Sequence, residues 1–163
     1  CQAEIRYTAF FGAATLTADA GNAGVSTVVD TAAKNLPENW LLENNRKLRV
    51  VVKGTWTGSV GAKALTAALS ATTIAAATSI PAADTGDFVF EAELVPTGIN
   101  TQVASYTYLR HGSSVRAQNN SARTIGVMDT NGKPTARSLR IYATLNGIGD
   151  SLTIHSIEWF ITG

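Results

Sequence analysis

Few residues in this 163-residue chain are of a type that does chemistry: two histidines, one cysteine and twelve carboxylates. A metal site of the usual kind needs His, Cys or carboxylates in a cluster. His111 falls in a turn and His155 in the last apolar strand, where it reads as a partly buried strand residue rather than a ligand. Nucleophilic catalysis needs a Ser or Cys beside a His and an orienting acid. There is no Gly-x-Ser-x-Gly elbow, Cys1 has no motif around it, and no Gly run leads into the Lys-Ser or Lys-Thr of a phosphate-binding loop. Asp84-Thr85-Gly86 spells the triplet of a carboxylate dyad, but Pro81-Ala82-Ala83 precedes it and charged Asp87 follows. A turn entering the Phe88 strand explains it better. Glu91 and Glu93 share one face of a strand, as paired glycosidase carboxylates can, and are expected to be solvated or salt-bridged. The expectation is a protein with no catalytic residues, no cofactor and no metal.

The aromatic residues say more. Trp56 and Trp159 fall within apolar strand faces and are expected in the core, whereas Trp40 and Tyr108 are the candidates for surface contact or sugar stacking. Arg110 and Arg116, from the basic second half of the chain, complete the set of candidate interface or ligand contacts.

The elements that must position these residues are strands. Leu48, Val50, Val52 and Trp56 alternate with Arg49, Lys53, Thr55 and Thr57, the period of a strand with one buried face. Phe88, Phe90, Ala92 and Leu94 repeat the pattern, as do Leu139, Ile141, Ala143 and Leu145. In Leu152–Ile161 both alternating sets are largely apolar, which predicts a strand covered on both sides. Weaker strands are expected near Ile5–Phe11, Gly24–Ala32, Gln102–Arg110 and Ala122–Met128, and Ala62–Ala77 reads as a strand, a turn and a second strand. Turn signals such as Pro96-Thr97-Gly98 and Asn146-Gly147 separate them. The sum is an all-β chain: a two-sheet antiparallel sandwich of jelly-roll type with roughly eight to ten short strands. Residues 1–24 read as an arm or short strand plus a flexible connection, and 25–163 as the sandwich.

Composition narrows the function classes. Charged residues make up 15% of the chain and the formal net charge is +1, too little for a non-specific nucleic-acid binder. No apolar run approaches the ~20 residues that span a bilayer. With one cysteine no intramolecular disulfide is available. Arg46, Lys47, Arg49 and Lys53 form a basic group, and Asp84, Asp87, Glu91 and Glu93 an acidic one. These are solvated strand faces or, in a sharper reading, complementary patches that join neighbouring subunits.

The order of features from Leu36 to Gly98 carries a resemblance. A Leu36-Pro37-Glu38-Asn39 loop is followed by Leu41-Leu42-Glu43-Asn44-Asn45, then by a basic-apolar strand reaching Gly54-Thr55-Trp56-Thr57. Next come Gly61-Ala62-Lys63, a Gly86-Asp87-Phe88-Val89-Phe90-Glu91-Ala92-Glu93-Leu94 strand, Pro96-Thr97-Gly98 and, at the end, Asp150–Trp159. This resembles the jelly-roll structural modules of tailed bacteriophages, in capsid decoration, head-fibre and tail-fibre proteins, over about residues 30–163. The resemblance implies a non-enzymatic virion component, assembled in the host cytoplasm. It also implies self-association, usually as a homotrimer, and contact with other virion proteins such as the major capsid protein. A tail-fibre or carbohydrate-binding module that recognises host-surface glycans is the alternative.

Overall fold

The computed structural model describes residues 4–29, 34–36, 46–69, 72–98, 101–110, 115–124 and 137–162. Among them every regular element is a strand: β1 (Glu4–Thr17), β2 (Thr27–Val28), β3 (Lys34–Leu36), β4 (Lys47–Thr57), β5 (Lys63–Leu69), β6 (Thr72–Ile80), β7 (Gly86–Gly98), β8 (Thr101–Arg110), β9 (Val115–Thr124), β10 (Arg137–Leu145) and β11 (Ser151–Thr162). They form two antiparallel sheets. The larger runs β1-β11-β4-β7-β8-β9; the smaller runs β2-β10-β5-β6, with β3 also on β10.

The alternating residues do what their period requires. Leu48, Val50, Val52 and Trp56 of β4 are buried, with Phe88, Phe90, Ala92 and Leu94 of β7 beside them. From the smaller sheet come Leu65, Ala67 and Leu69 of β5 and Leu139, Ile141, Ala143 and Leu145 of β10, all in one continuous core. The two strands expected within Ala62–Ala77 are β5 and β6, which pair antiparallel.

Three expectations change. The short strand expected near Ile5–Phe11 is longer: β1 runs through Thr17 and pairs with β11, and Ala18 bonds through its N–H to the Asp150 carbonyl. The strand expected at Ala122–Met128 begins earlier, as β9 at Val115, and residues 125–128 lie outside the described set.

The third change concerns β11. It is not covered on both sides. Its pairing to β4 slips between Ile154, opposite Gly54, and Ser156, opposite Lys53, which leaves His155 as the extra residue of a β-bulge. The bulge shifts the phase of the alternation, so Leu152 and Ile154 before it and Ile157, Trp159 and Ile161 after it all face the core. Two apolar half-faces in the sequence are one buried face in the fold. His155 is thereby exposed rather than partly buried.

Candidate functional site

The bulge sets His155 on the outer face of the larger sheet, above β4. Its Nε2 lies 2.9 Å from Thr55 Oγ1, and Thr55 Oγ1 donates to Asp87 Oδ1 on β7 at 2.7 Å. Three adjacent strands therefore contribute one residue each to a hydrogen-bonded chain. Its polarity is fixed by proton counting. An ionised carboxylate only accepts, and a hydroxyl has one proton. Thr55 spends its proton on Asp87, so His155 must donate from Nε2. In nucleophile activation the imidazole accepts the hydroxyl proton. Here the proton points away from the imidazole, an arrangement suited to orienting side chains.

These residues rim a cleft of about 310 Å³, lined by Lys53, Gly54, Asp87, Phe88, Val89 and His155. Val89 supplies its apolar side chain, while the Phe88 ring packs inward beneath it on Trp56 and Tyr108. On the inner side Gly54 makes room for that ring, since a Cβ would stand 2.9 Å from the Phe88 ring carbons and 2.5 Å from the Thr153 carbonyl. The cleft offers an ammonium donor, a carboxylate acceptor and an imidazole next to apolar carbon. That mixture suits a polyhydroxylated ligand, whose hydroxyls donate and accept while its C–H faces pack on carbon. Among the described residues no three His, Cys, Asp or Glu come together to hold a metal ion.

The basic and acidic groups of the sequence turn out to face each other within one chain. β4 and β7 are neighbours, with Arg49 opposite Glu93 and Thr55 opposite Asp87, and Lys47 Nζ lies 3.4 Å from Glu93 Oε1. Glu93 is thus salt-bridged, as expected for that face. Arg49 also covers the Phe160 ring, its guanidinium carbon 4.6 Å from the centroid.

Tyr108 is a correction. It is not a surface contact but 0% exposed, tilted against Phe88 at 5.6 Å between centroids. Its hydroxyl accepts the Trp56 indole N–H at 2.6 Å. A buried phenol is kept satisfied by that partner, and the β8 alternation turns Tyr108 inward. Arg110 lies opposite Phe88 at the end of β8, and Arg116 falls at the irregularity where β9 slips between Val115 and Ala117. Trp40 lies outside the described residues. The cleft residues were visible in the sequence as members of charge groups and strands, but nothing local joined them.

A second cluster closes one end of the sandwich. Lys63, Asp84 and Asp150 are all buried. Lys63 Nζ donates to the Ala82 carbonyl at 2.7 Å. The Asp150 carboxylate accepts from Val60 N at 3.0 Å and Gly61 N at 2.8 Å. Burial pushes the Lys63 ammonium below its ordinary value, while Asp150 and Asp84 pull it back up in part. Asp84 of the Asp-Thr-Gly triplet is accordingly a structural acid at a turn, where its N–H bonds the Pro81 carbonyl.

With this geometry in place, comparison with solved structures fixes the architecture. Arcelin-5, a lectin-like defense protein from Phaseolus vulgaris, superposes with a TM-score of 0.54 over 98% of each chain, at 7% identity. The chain has a two-sheet jelly-roll sandwich fold. A seed lectin of Lotus tetragonolobus matches at a TM-score of 0.44 and 8% identity, over 97% of this chain and 92% of that one. The CBM2 module of an evolved Dit protein of Lactobacillus casei BL23 phage J-1 matches at 0.29 and 10%, over 79% and 67%. Scores this low add nothing to the fold likeness, which rests on the first. No protein-family profile and no curated protein matches the chain in sequence.

Proposed function

We propose that this chain is a non-enzymatic recognition domain that binds saccharides in the Lys53–Asp87–His155 cleft. The observation that carries the reading is the ordered chain from His155 through Thr55 to Asp87 beside Lys53. It holds donors and acceptors in fixed directions around an apolar wall, the arrangement that hydroxyl recognition needs. The lectin-like description of arcelin-5 suggests the same chemistry on the same kind of sandwich. The resemblance of residues 30–163 to tailed-phage modules would place the domain on a virion, where a tail fibre reads host-surface glycans.

The strand-and-turn pattern from Leu36 to Gly98 favours a second reading. In it the chain decorates a phage head as a cement or head-fibre protein and acts by packing beside copies of itself and the major capsid protein.

Titration against a glycan panel by NMR chemical-shift perturbation tests the first reading. Shifts should concentrate at Lys53, Asp87, Val89 and His155, and Asp87→Ala should weaken the best ligand at least about tenfold, the worth of a charge-assisted hydrogen bond. No binding across the panel, or binding indifferent to both Asp87→Ala and Lys53→Ala, would remove the cleft from the function.

A further inference from the structure

The imidazole of His155 has two nitrogens, and the fold commits one of them. Nε2 donates to Thr55 Oγ1 at 2.9 Å because the Thr55 proton is spent on Asp87. That bond is the same whether the ring is neutral or charged, since Nε2 carries its proton in both forms. Nδ1 has no partner among the described residues. It accepts when the ring is neutral and donates, with a positive charge behind it, when the ring is protonated. The charge state of the ring is thus expressed at Nδ1, where a ligand can meet it.

The backbone sets the ring apart for this. β11 slips against β4 between Ile154 and Ser156. β1 slips against β11 at the same place, between Phe11, opposite Ser156, and Ala14, opposite Ile154. A ladder broken on both sides re-aims the side chain that lies between the breaks.

The β4 register also parts Lys53 from the acids that answer its neighbours. Arg49 lies opposite Glu93, and Lys47 reaches the same carboxylate at 3.4 Å. Lys53 lies opposite Val89 on one side and Ser156 on the other, and among the described residues its ammonium has no hydrogen bond or ion pair. Asp87, the carboxylate of the cleft, takes the Thr55 hydroxyl instead. An open ammonium and an open imidazole nitrogen therefore border one cleft. The remaining charged groups around the ring are Arg49 on β4, Asp87 and Glu91 on β7, and Glu158 on β11 itself; the facing stretch of β1, residues 11–17, has no titratable side chain.

Resting on the saccharide reading above, we propose that the ligand of this cleft is an acidic saccharide, a uronate held by its carboxylate between the Lys53 ammonium and His155 Nδ1, and that its affinity rises as pH falls. A carboxylate only accepts. It meets a lone pair at the neutral Nδ1 and a charge-assisted donor at the protonated one. Asp87 stays available to accept ligand hydroxyls, which a uronate still carries. Histidine changes its charge between about pH 5 and 8 while a uronate remains ionised, so binding strengthens as the ring charges. By linkage, the bound uronate draws a proton onto the ring.

Calorimetric titration at about pH 5.5 and about pH 8 tests this, using the methyl glycosides of glucuronate and galacturonate beside those of glucose and galactose. A uronate should bind at least about threefold tighter at the lower pH, with proton uptake read as a heat that varies with the buffer, while its neutral counterpart changes little. His155→Gln keeps an N–H donor for Thr55 but cannot titrate, and should flatten the uronate profile. Lys53→Met should weaken the uronate more than the neutral sugar. A neutral sugar bound as tightly as its uronate at the lower pH, a uronate indifferent to pH, or a profile that survives His155→Gln overturns the inference and leaves the saccharide reading standing. Absence of binding by both uronates at about 10 mM overturns it as well, and the wider glycan panel then decides the saccharide reading by itself.

Discussion

The indole N–H of Trp56 donates to the phenolic oxygen of Tyr108 across 2.6 Å in the interior of the sandwich. The two residues are 52 positions apart and sit on β4 and β8, with β7 between them. Phe88 of β7 fills the gap, stacked on Trp56 at 5.0 Å and tilted against Tyr108 at 5.6 Å. The polar ends of two aromatic residues therefore satisfy each other inside an otherwise apolar cluster.

Truncating Trp56 removes packing and leaves a cavity, so Trp56→Ala should cost roughly 3–5 kcal/mol. Tyr108→Phe keeps the ring and strands the indole N–H, a loss of about 1–3 kcal/mol. Urea denaturation followed by fluorescence measures both. A Trp56→Ala chain that melts like wild type would show that this cluster does not anchor the core.

Thr55→Val is nearly isosteric and removes the hydroxyl that links His155 to Asp87. On a partly exposed strand face it should change stability by less than about 1 kcal/mol. Saccharide affinity should fall about tenfold because His155 and Asp87 lose their fixed directions. Thr55→Ser retains the hydroxyl and should restore most of the binding, a rescue that mere loss of packing would not give. Calorimetric titration of all three chains against one ligand reads the comparison.

Glycines at the closed end differ in cost. Gly147→Ala drives a Cβ into the Gly61 backbone and toward the Asp150 carboxylate, with overpacking worth roughly 1–3 kcal/mol or more. Gly149→Ala meets open space and bears only the left-handed backbone penalty at φ 90°, about 1–2 kcal/mol. Chemical denaturation should rank Gly147→Ala as the more damaging, and the reverse order would mean that the loops give way more easily than their contacts imply.

Lys63 gives the fold a pH dependence of stated sign. Its ammonium is pushed below its ordinary value of 10.5 by burial. Between the folded value and 10.5 the unfolded chain holds a proton that the folded chain has released, so stability rises with pH in that window. Below it both states are charged and the cost of burying the ammonium is constant; above it both are neutral. The stability difference between wild type and Lys63→Met should therefore shift in favour of wild type as pH is raised from neutral toward 10.5. A flat or opposite trend would mean that Asp150 and Asp84 outweigh burial.

Much of the architecture is legible in local patterns. Leu48-Arg49-Val50-Val51-Val52 alternates because a strand with one covered face must, and the turns announce themselves by Gly, Pro, Asn and Asp. Tyr108 misleads because an aromatic in a weakly patterned strand has no local mark of which face it takes. Lys63 carries no local mark of its burial, because the acids that accompany it, Asp84 and Asp150, are 21 and 87 positions away.

The amino-acid sequence by itself determined the all-β class, the two-sheet sandwich, most of the core of β4, β7 and β10, and the place of Trp56 in it. It could do so because period two and turn chemistry are properties of neighbouring residues. Only the tertiary structure decided the cleft and the closed end. His155 meets Thr55 across 100 positions because β11 lies beside β4 and bulges there. Asp150 meets Gly61 across 89 because two loops close over the same end. Strand order and a one-residue slip in register are set by how faces pack together, and that information is spread over the whole chain.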